Sequence, residues 1–158
     1  GTQISSVIQG GGQEFGMRSG TENVAGIVGF SYALERAASL RAKEAERLAD
    51  LQNLFVSQLA SRVPKAVVTA PGAGLYNLVH VTILGTDNER LMMELDEAGI
   101  QCAVGSACSA SSDQPSHVLQ AIGLSEEQAQ TSLRFTMGRS TTKQDVQKIV
   151  DTLAKLVG

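Results

Sequence analysis

The sequence predicts an α/β fold in which a small α+β unit follows one long helix. Three observations carry this expectation. Asn23 to Arg62 contain no proline, and Leu48, Leu51, Phe55 and Leu59 recur there at helical spacing. Residues 78–83, 100–104 and 133–137 have the alternation of half-buried strands. Helical patterns lie between and after those strands, which is the order of a mixed layer architecture.

Taken in order, Ile4 to Gln9 reads as a short strand ended by Gly10, Gly11 and Gly12. One strand cannot make a sheet, so its partners are expected from elsewhere in the chain, from a second copy or from further sequence. The long helix from Asn23 keeps only Gly26 and Gly29 as weak points and stops at Pro64, which has no amide to continue the ladder. Ala66–Thr69 precede a turn-rich stretch with Pro71, Gly72 and Gly74, and then comes the strand Leu78–Ile83, with Val79, Val81 and Ile83 on one face. Thr86 and Glu89 have capping-box spacing before a helix that carries Leu91, Leu95 and Ala98 and ends at Gly99. Ile100–Val104 reads as a strand, Pro115–Ile122 as a short helix ended by Gly123, and Leu133, Phe135 and Met137 as one face of another strand. The last helix starts near Thr141, with Gln144 three positions on, and its stripe is Val146, Ile149, Val150, Leu153 and Leu156. The division between a leading segment (1–62) and a compact unit (63–158) falls near Val63.

A length of 158 residues and 42% apolar content suffice for one cored domain. With 13 basic against 16 acidic side chains, spread along the chain, no basic stripe offers itself to a phosphate backbone, and nucleic acid is not an expected partner. No apolar run approaches the roughly 18 residues of a membrane span, and the first residues lack the layout of a secretory signal. No membrane partner is expected, and the expected location is the cytoplasm. Two cysteines are too few for a disulfide framework or a structural zinc.

The most informative stretch is GSACSASSDQPS, residues 105–116, which has no large apolar side chain to anchor it. Loops of this length inside small domains are uncommon unless they serve a function. Strand parity separates the two thiols. Cys102 shares a face with Ile100 and Val104 and reads as a small buried apolar residue. Cys108 lies beyond the strand in the polar loop, where a thiol can reach a substrate and then carry a product elsewhere. Nothing in the loop obviously lowers its pKa: Asp113 would raise it, and the position of His117 is too uncertain to count.

Three blocks in order then define a resemblance: GGGQEFGMRSGTEN (10–23), VGSACSA (104–110) with PSHVLQAIGL (115–124), and SLRFTMGRSTT (132–142). Together they resemble the class V aminotransferase-like cysteine desulfurases, in the branch whose cysteine sits on a long loop. The resemblance implies the C-terminal part of a fold-type I transferase that depends on pyridoxal 5'-phosphate. It implies a homodimer that takes sulfur from L-cysteine, releases L-alanine and passes the sulfur to an acceptor protein such as an Fe–S scaffold. Residues 1–62 would then be the end of the large-domain sheet, a phosphate-contact segment and the connecting helix, and residues 63–158 the small C-terminal domain.

Under the same resemblance Cys108 is the persulfide cysteine, Arg134 binds the substrate carboxylate, and Thr21 reaches the phosphate of the partner's cofactor. Alternation independently turns Arg134 away from Leu133 and Phe135, and a planar fork suits a carboxylate; an ordinary salt-bridged arginine is the plainer alternative. Thr21 stands at an expected helix start, which favours an anion but equally fits a plain N-cap. Arg18 either supports this site or faces a sulfur acceptor. Phe15 stands where relatives often carry a charge, a departure that bears on any docking surface there. His80 and His117 read as structural.

Family members hold the cofactor on a lysine directly after a histidine, and this sequence contains no His-Lys pair. Its lysines, Lys43, Lys65, Lys143, Lys148 and Lys155, fall on expected surfaces. Two other readings fit parts of the pattern: a standalone thiol-based binding or regulatory module, and another class V transaminase or lyase that keeps Arg134 and Thr21 but not the role of Cys108. The isolated chain is expected neither to bind pyridoxal phosphate tightly nor to desulfurate cysteine. A borohydride-fixed cofactor mapped to a lysine of this chain would contradict that expectation.

Overall fold

A computed structural model describes residues 2–69, 74–104 and 116–158. Its elements run α1 (Val24–Arg62), β1 (Ala66–Val68), β2 (Leu78–Ile83), α2 (Asn88–Glu97), β3 (Ala103–Val104), α3 (His117–Ala121), α4 (Glu126–Gln130), β4 (Ser132–Thr136) and α5 (Lys143–Val157), after a 3-10 turn at Glu14–Gly16. The chain forms two compact units, Gly1–Arg41 and Ala42–Gly158, which divide within α1, whereas the helix itself ends at Arg62.

In the first unit Ile4–Gln9 pairs with no strand among the described residues. The segment is tied instead through the Ser19 amide, which donates to the Ile8 carbonyl at 3.0 Å. The first part of α1 carries Val24, Ile27, Val28, Phe30, Tyr32 and Leu34, all exposed. The helix runs unbroken through Gly26 and Gly29 for 39 residues. Asn23 starts it: its side-chain oxygen accepts from the Gly26 amide and its carbonyl from the Ile27 amide, both at 3.0 Å.

The second unit is a four-stranded sheet of order β1-β2-β4-β3 with every neighbouring pair antiparallel. Val79 pairs with Phe135 and Val81 with Leu133, so the apolar sets of the two central strands fall on one face. Leu51, Phe55 and Leu59 of α1, Leu91 and Leu95 of α2, and Val146, Val150 and Leu153 of α5 complete that core. Phe55 and Phe135 meet edge to face, with ring centroids 5.3 Å apart. Buried Gln52 spends its amide on the Leu75 and Leu78 carbonyls at 3.2 and 2.9 Å, which fixes α1 to the start of β2.

Several expected boundaries move for identifiable reasons. The strand expected from Ile100 is confined, among the described residues, to Ala103–Val104. The Ile100 amide is taken by the Leu95 carbonyl at 2.9 Å, across Gly99 at φ +72°, so the residue closes α2 rather than opening a ladder. Asp87, not Thr86, caps α2, accepting from the Arg90 amide at 3.0 Å. Thr142 with Asp145, not Thr141 with Gln144, makes the box that opens α5, because the Thr141 hydroxyl accepts from the Gly138 amide instead. That start brings Val157 onto the buried stripe and leaves Leu156 37% exposed. Helix α4 escapes the apolar-periodicity reading because it is one short turn with a single buried residue, Ala129; its signal is the capping box of Ser125 and Gln128.

One polar contact joins α1 to the turn after β4. Arg47 grips Glu44 with two hydrogen bonds, at 3.0 and 2.7 Å, and donates to the carbonyls of Thr141 and Gly138 at 2.7 and 2.8 Å. The guanidinium holds the Glu44 carboxyl below its ordinary range. The fork thus fixes where β4 ends, which a single ammonium could not do with the same geometry.

Leu153→Ala is expected to cost about 2–5 kcal/mol in urea unfolding. Leu156→Ala should cost well under half of that, and equal losses would put the stripe of α5 back on Leu156.

Candidate functional site

The sheet has a second face, which the core does not use. Antiparallel register sets Thr69 of the β1 end beside His80 of β2, His80 opposite Arg134 of β4, and Arg134 opposite Ala103 of β3. Leu133 and Phe135 are buried while Arg134 between them is exposed, as the alternation predicts. Arg134 makes no ion pair and no hydrogen bond among the described residues.

His80 is buried, and its Nδ1 lies 2.9 Å from the Thr69 hydroxyl. Its Nε2 has no hydrogen-bond partner among the described residues. Burial first, and the neighbouring Arg134 charge second, lower its pKa from the usual histidine range. A neutral ring beside a guanidinium avoids the repulsion that two cations facing across a sheet would suffer. His117 opens α3 and is exposed.

Cys102 is half-buried and packs against the core with Val104. Burial, with a smaller contribution from Asp96, pushes its thiol up to about 11. It is a poor nucleophile near neutral pH. Cys108 and Asp113 lie outside the described residues, as does the whole of 105–115. Val104, the last described residue before that segment, pairs with Leu133, and Ala103 before it pairs with Arg134.

Thr21 belongs to the first unit. It is exposed and is not the N-cap of α1, since Asn23 performs that function. Arg18 folds back along the same turn, with its NH1 donating to the Gly20 carbonyl at 3.2 Å and the Thr21 carbonyl at 3.0 Å. Gln13 accepts from the Gly20 amide at 3.0 Å. Phe15 protrudes from the preceding 3-10 turn, 98% exposed and at φ +56°. Sequence reading missed this clasp because an arginine bonded to carbonyls two and three positions ahead has no periodic signature.

A pyridoxal phosphate group asks for phosphate donors and an enclosed lysine. The Thr21 hydroxyl has no partner among the described residues and fits the phosphate end. Lys43, Lys65, Lys143, Lys148 and Lys155 are all exposed, so none offers an enclosed amine. No group of three or more metal-ligating side chains exists among the described residues, and no described helix is long and apolar enough to cross a membrane.

Comparison with known proteins places this geometry in a family. The class-V aminotransferase model matches residues 5–149, and the chain belongs to that family. Among its relatives, the cysteine desulfurase IscS of Dictyoglomus turgidum is 40% identical over 158 residues, which is 99% of this chain and 40% of the relative. IscS 1 of Archaeoglobus fulgidus is 40% identical over 157 residues, 99% of this chain and 41% of the relative. In three dimensions the chain is similar to a NifS-like protein from Rickettsia africae, with a TM-score of 0.80 at 28% identity over 98% of this chain and 40% of the other. The mixed α/β fold expected from sequence is thus that of NifS-like proteins. The chain spans about 40% of the length of the curated relatives it matches.

Cys102 is expected to alkylate on the order of a hundredfold more slowly at pH 8 in folded than in unfolded protein, from the thiolate fractions alone. The sign for stability follows from the same shift. The raised folded pKa keeps its contribution intact below the unfolded thiol range and loses it as pH rises toward about 11. Peptide mapping after brief alkylation measures the first effect, and a Cys102 labelled as fast in folded as in unfolded protein would contradict the strand register.

Proposed function

We propose that this chain is the persulfide-forming portion of a cysteine desulfurase, which converts L-cysteine to L-alanine and leaves the sulfur on Cys108 for an acceptor protein. The observation that carries the reading is the pairing of Ala103 with Arg134, which sets the strand that precedes the Cys108 segment in sequence beside an exposed guanidinium with no carboxylate partner among the described residues. The relatives named cysteine desulfurase, aligned over 99% of this chain, support it.

In this reading the Arg134 fork takes the carboxylate of L-cysteine and aims its sulfur toward the segment after Val104. The Cys108 thiolate attacks that sulfur, a sulfur–sulfur bond forms, and the carbon–sulfur bond of the substrate breaks. The net exchange balances as L-cysteine plus thiol to L-alanine plus persulfide. Pyridoxal phosphate, when bound, supplies the electron sink for the bond cleavage. Thr21 would hold its phosphate across a homodimer interface, and the lysine for its aldehyde would come from sequence outside this chain. Neutral His80 keeps the ground beside Arg134 free of a second charge. The proposed acceptor is a protein such as an Fe–S scaffold, and the proposed setting is the cytoplasm.

In the full-length protein Cys108→Ser should bind cofactor and L-cysteine yet form no persulfide, because a hydroxyl is a far weaker nucleophile toward sulfur. Arg134→Ala should keep the cofactor spectrum and lose roughly 30-fold or more in cysteine affinity, from a truncation cost of about 2–5 kcal/mol. Spectral titration with cysteine and a persulfide assay measure both. Persulfide on this segment in Cys108→Ser, or normal cysteine binding in Arg134→Ala, would overturn the corresponding role.

A further inference from the structure

We infer that Arg18 is a positioning residue for Thr21, acting through the backbone rather than as a ligand of its own. The inference rests on the reading of Thr21 as a phosphate contact and adds to it the device that holds Thr21 in place.

A trans peptide points its carbonyl and the following amide in opposite directions. The Gly20 carbonyl shares a plane with the Thr21 amide, and the Thr21 carbonyl with the Glu22 amide. One nitrogen of Arg18, NH1, receives both carbonyls, at 3.2 and 3.0 Å. Both oxygens are therefore drawn to one side, and the Thr21 and Glu22 amides face the other. Neither amide donates to a protein group among the described residues, and both residues are exposed.

The rest of the turn is braced consistently with this. Gly20 takes φ +100°, a conformation a side chain would resist, and its amide is held by Gln13 at 3.0 Å. Buried Ser19 accepts from the Gly12 amide through its hydroxyl at 3.4 Å and donates its own amide to the Ile8 carbonyl. Asn23 closes the far end by capping α1. Between these fixed points, the two peptides on either side of Thr21 have Arg18 as their side-chain partner among the described residues. Without the guanidinium those peptides could turn over, which would carry oxygen lone pairs to the side where an anion is to sit.

The test uses the 15N-labelled chain titrated with inorganic phosphate at constant ionic strength, following the Thr21 and Glu22 amide resonances. In the wild type both should move together and saturate. Arg18→Gln should lose about tenfold or more in phosphate affinity, and its Thr21 and Glu22 amides should already be displaced before phosphate is added. Arg18→Lys keeps the charge without the fork and should not restore the wild-type amide positions.

If Arg18→Lys matches the wild type in both affinity and amide positions, Arg18 acts as a charge alone and the inference is overturned. If Arg18→Gln binds phosphate like the wild type, the inference is overturned too, and the cation is left open to a protein partner. A wild type whose two amides do not move overturns the phosphate reading of Thr21 together with this one. Persulfide formation in Cys108→Ser and cysteine binding by Arg134→Ala are measured separately in the full-length protein, so failure of those roles is distinguishable from these outcomes.

Discussion

The antiparallel pairing of β2 with β4 is the constraint on which the rest of the second unit depends. Five residue pairs, from Leu78 with Thr136 to Thr82 with Ser132, set two alternating strands in phase. In that phase Val79, Val81, Leu133 and Phe135 reach α1, α2 and α5, and Arg134 reaches solvent. A slip of one residue would exchange the two sets, burying a guanidinium and exposing an aromatic ring. The same register that closes the core therefore presents the cation, and the proposed chemistry inherits its geometry from packing. Gln52 at one end of β2 and Arg47 beyond the end of β4 hold this phase from outside the ladder.

The two units use arginine in different ways. Arg47 bridges elements far apart in sequence, and two of its four hydrogen bonds go to a carboxylate whose pKa it lowers. Arg18 works within a few residues of itself and addresses carbonyl oxygens. Of the three, Arg134 is the one with no protein partner among the described residues.

Much of this was legible in the residues themselves. Leu51, Phe55 and Leu59 mark the buried face of α1, and Leu133 with Phe135 marks β4, because long apolar periods survive almost any tertiary context. Boundaries were less legible. Thr86, Thr141 and Ile100 each have the residue type for the part expected of them, yet each side chain or amide has a nearer partner: the Ile83 carbonyl, the Gly138 amide and the Leu95 carbonyl. Such competition between local hydrogen bonds is decided by the folded backbone, not by spacing. Thr21 is the same case in the site: a helix-start position fits a cap, but Asn23 is the residue with the right geometry. The positions of Arg134 and Cys102 followed from parity, whereas the clasp of Arg18 and the tie of His80 to Thr69 required coordinates.

The edge strand β1 has a further consequence. It is three residues long, bounded on one side by Pro64 and the end of α1, and Val67 is the one residue of the three that is exposed. An edge this short offers a foreign strand too few consecutive amides and carbonyls to template a ladder. Growth of the sheet from one molecule into the next is therefore disfavoured at this side by brevity alone, with no charged gatekeeper required. Partners that approach the β1 side must recognise side chains rather than backbone.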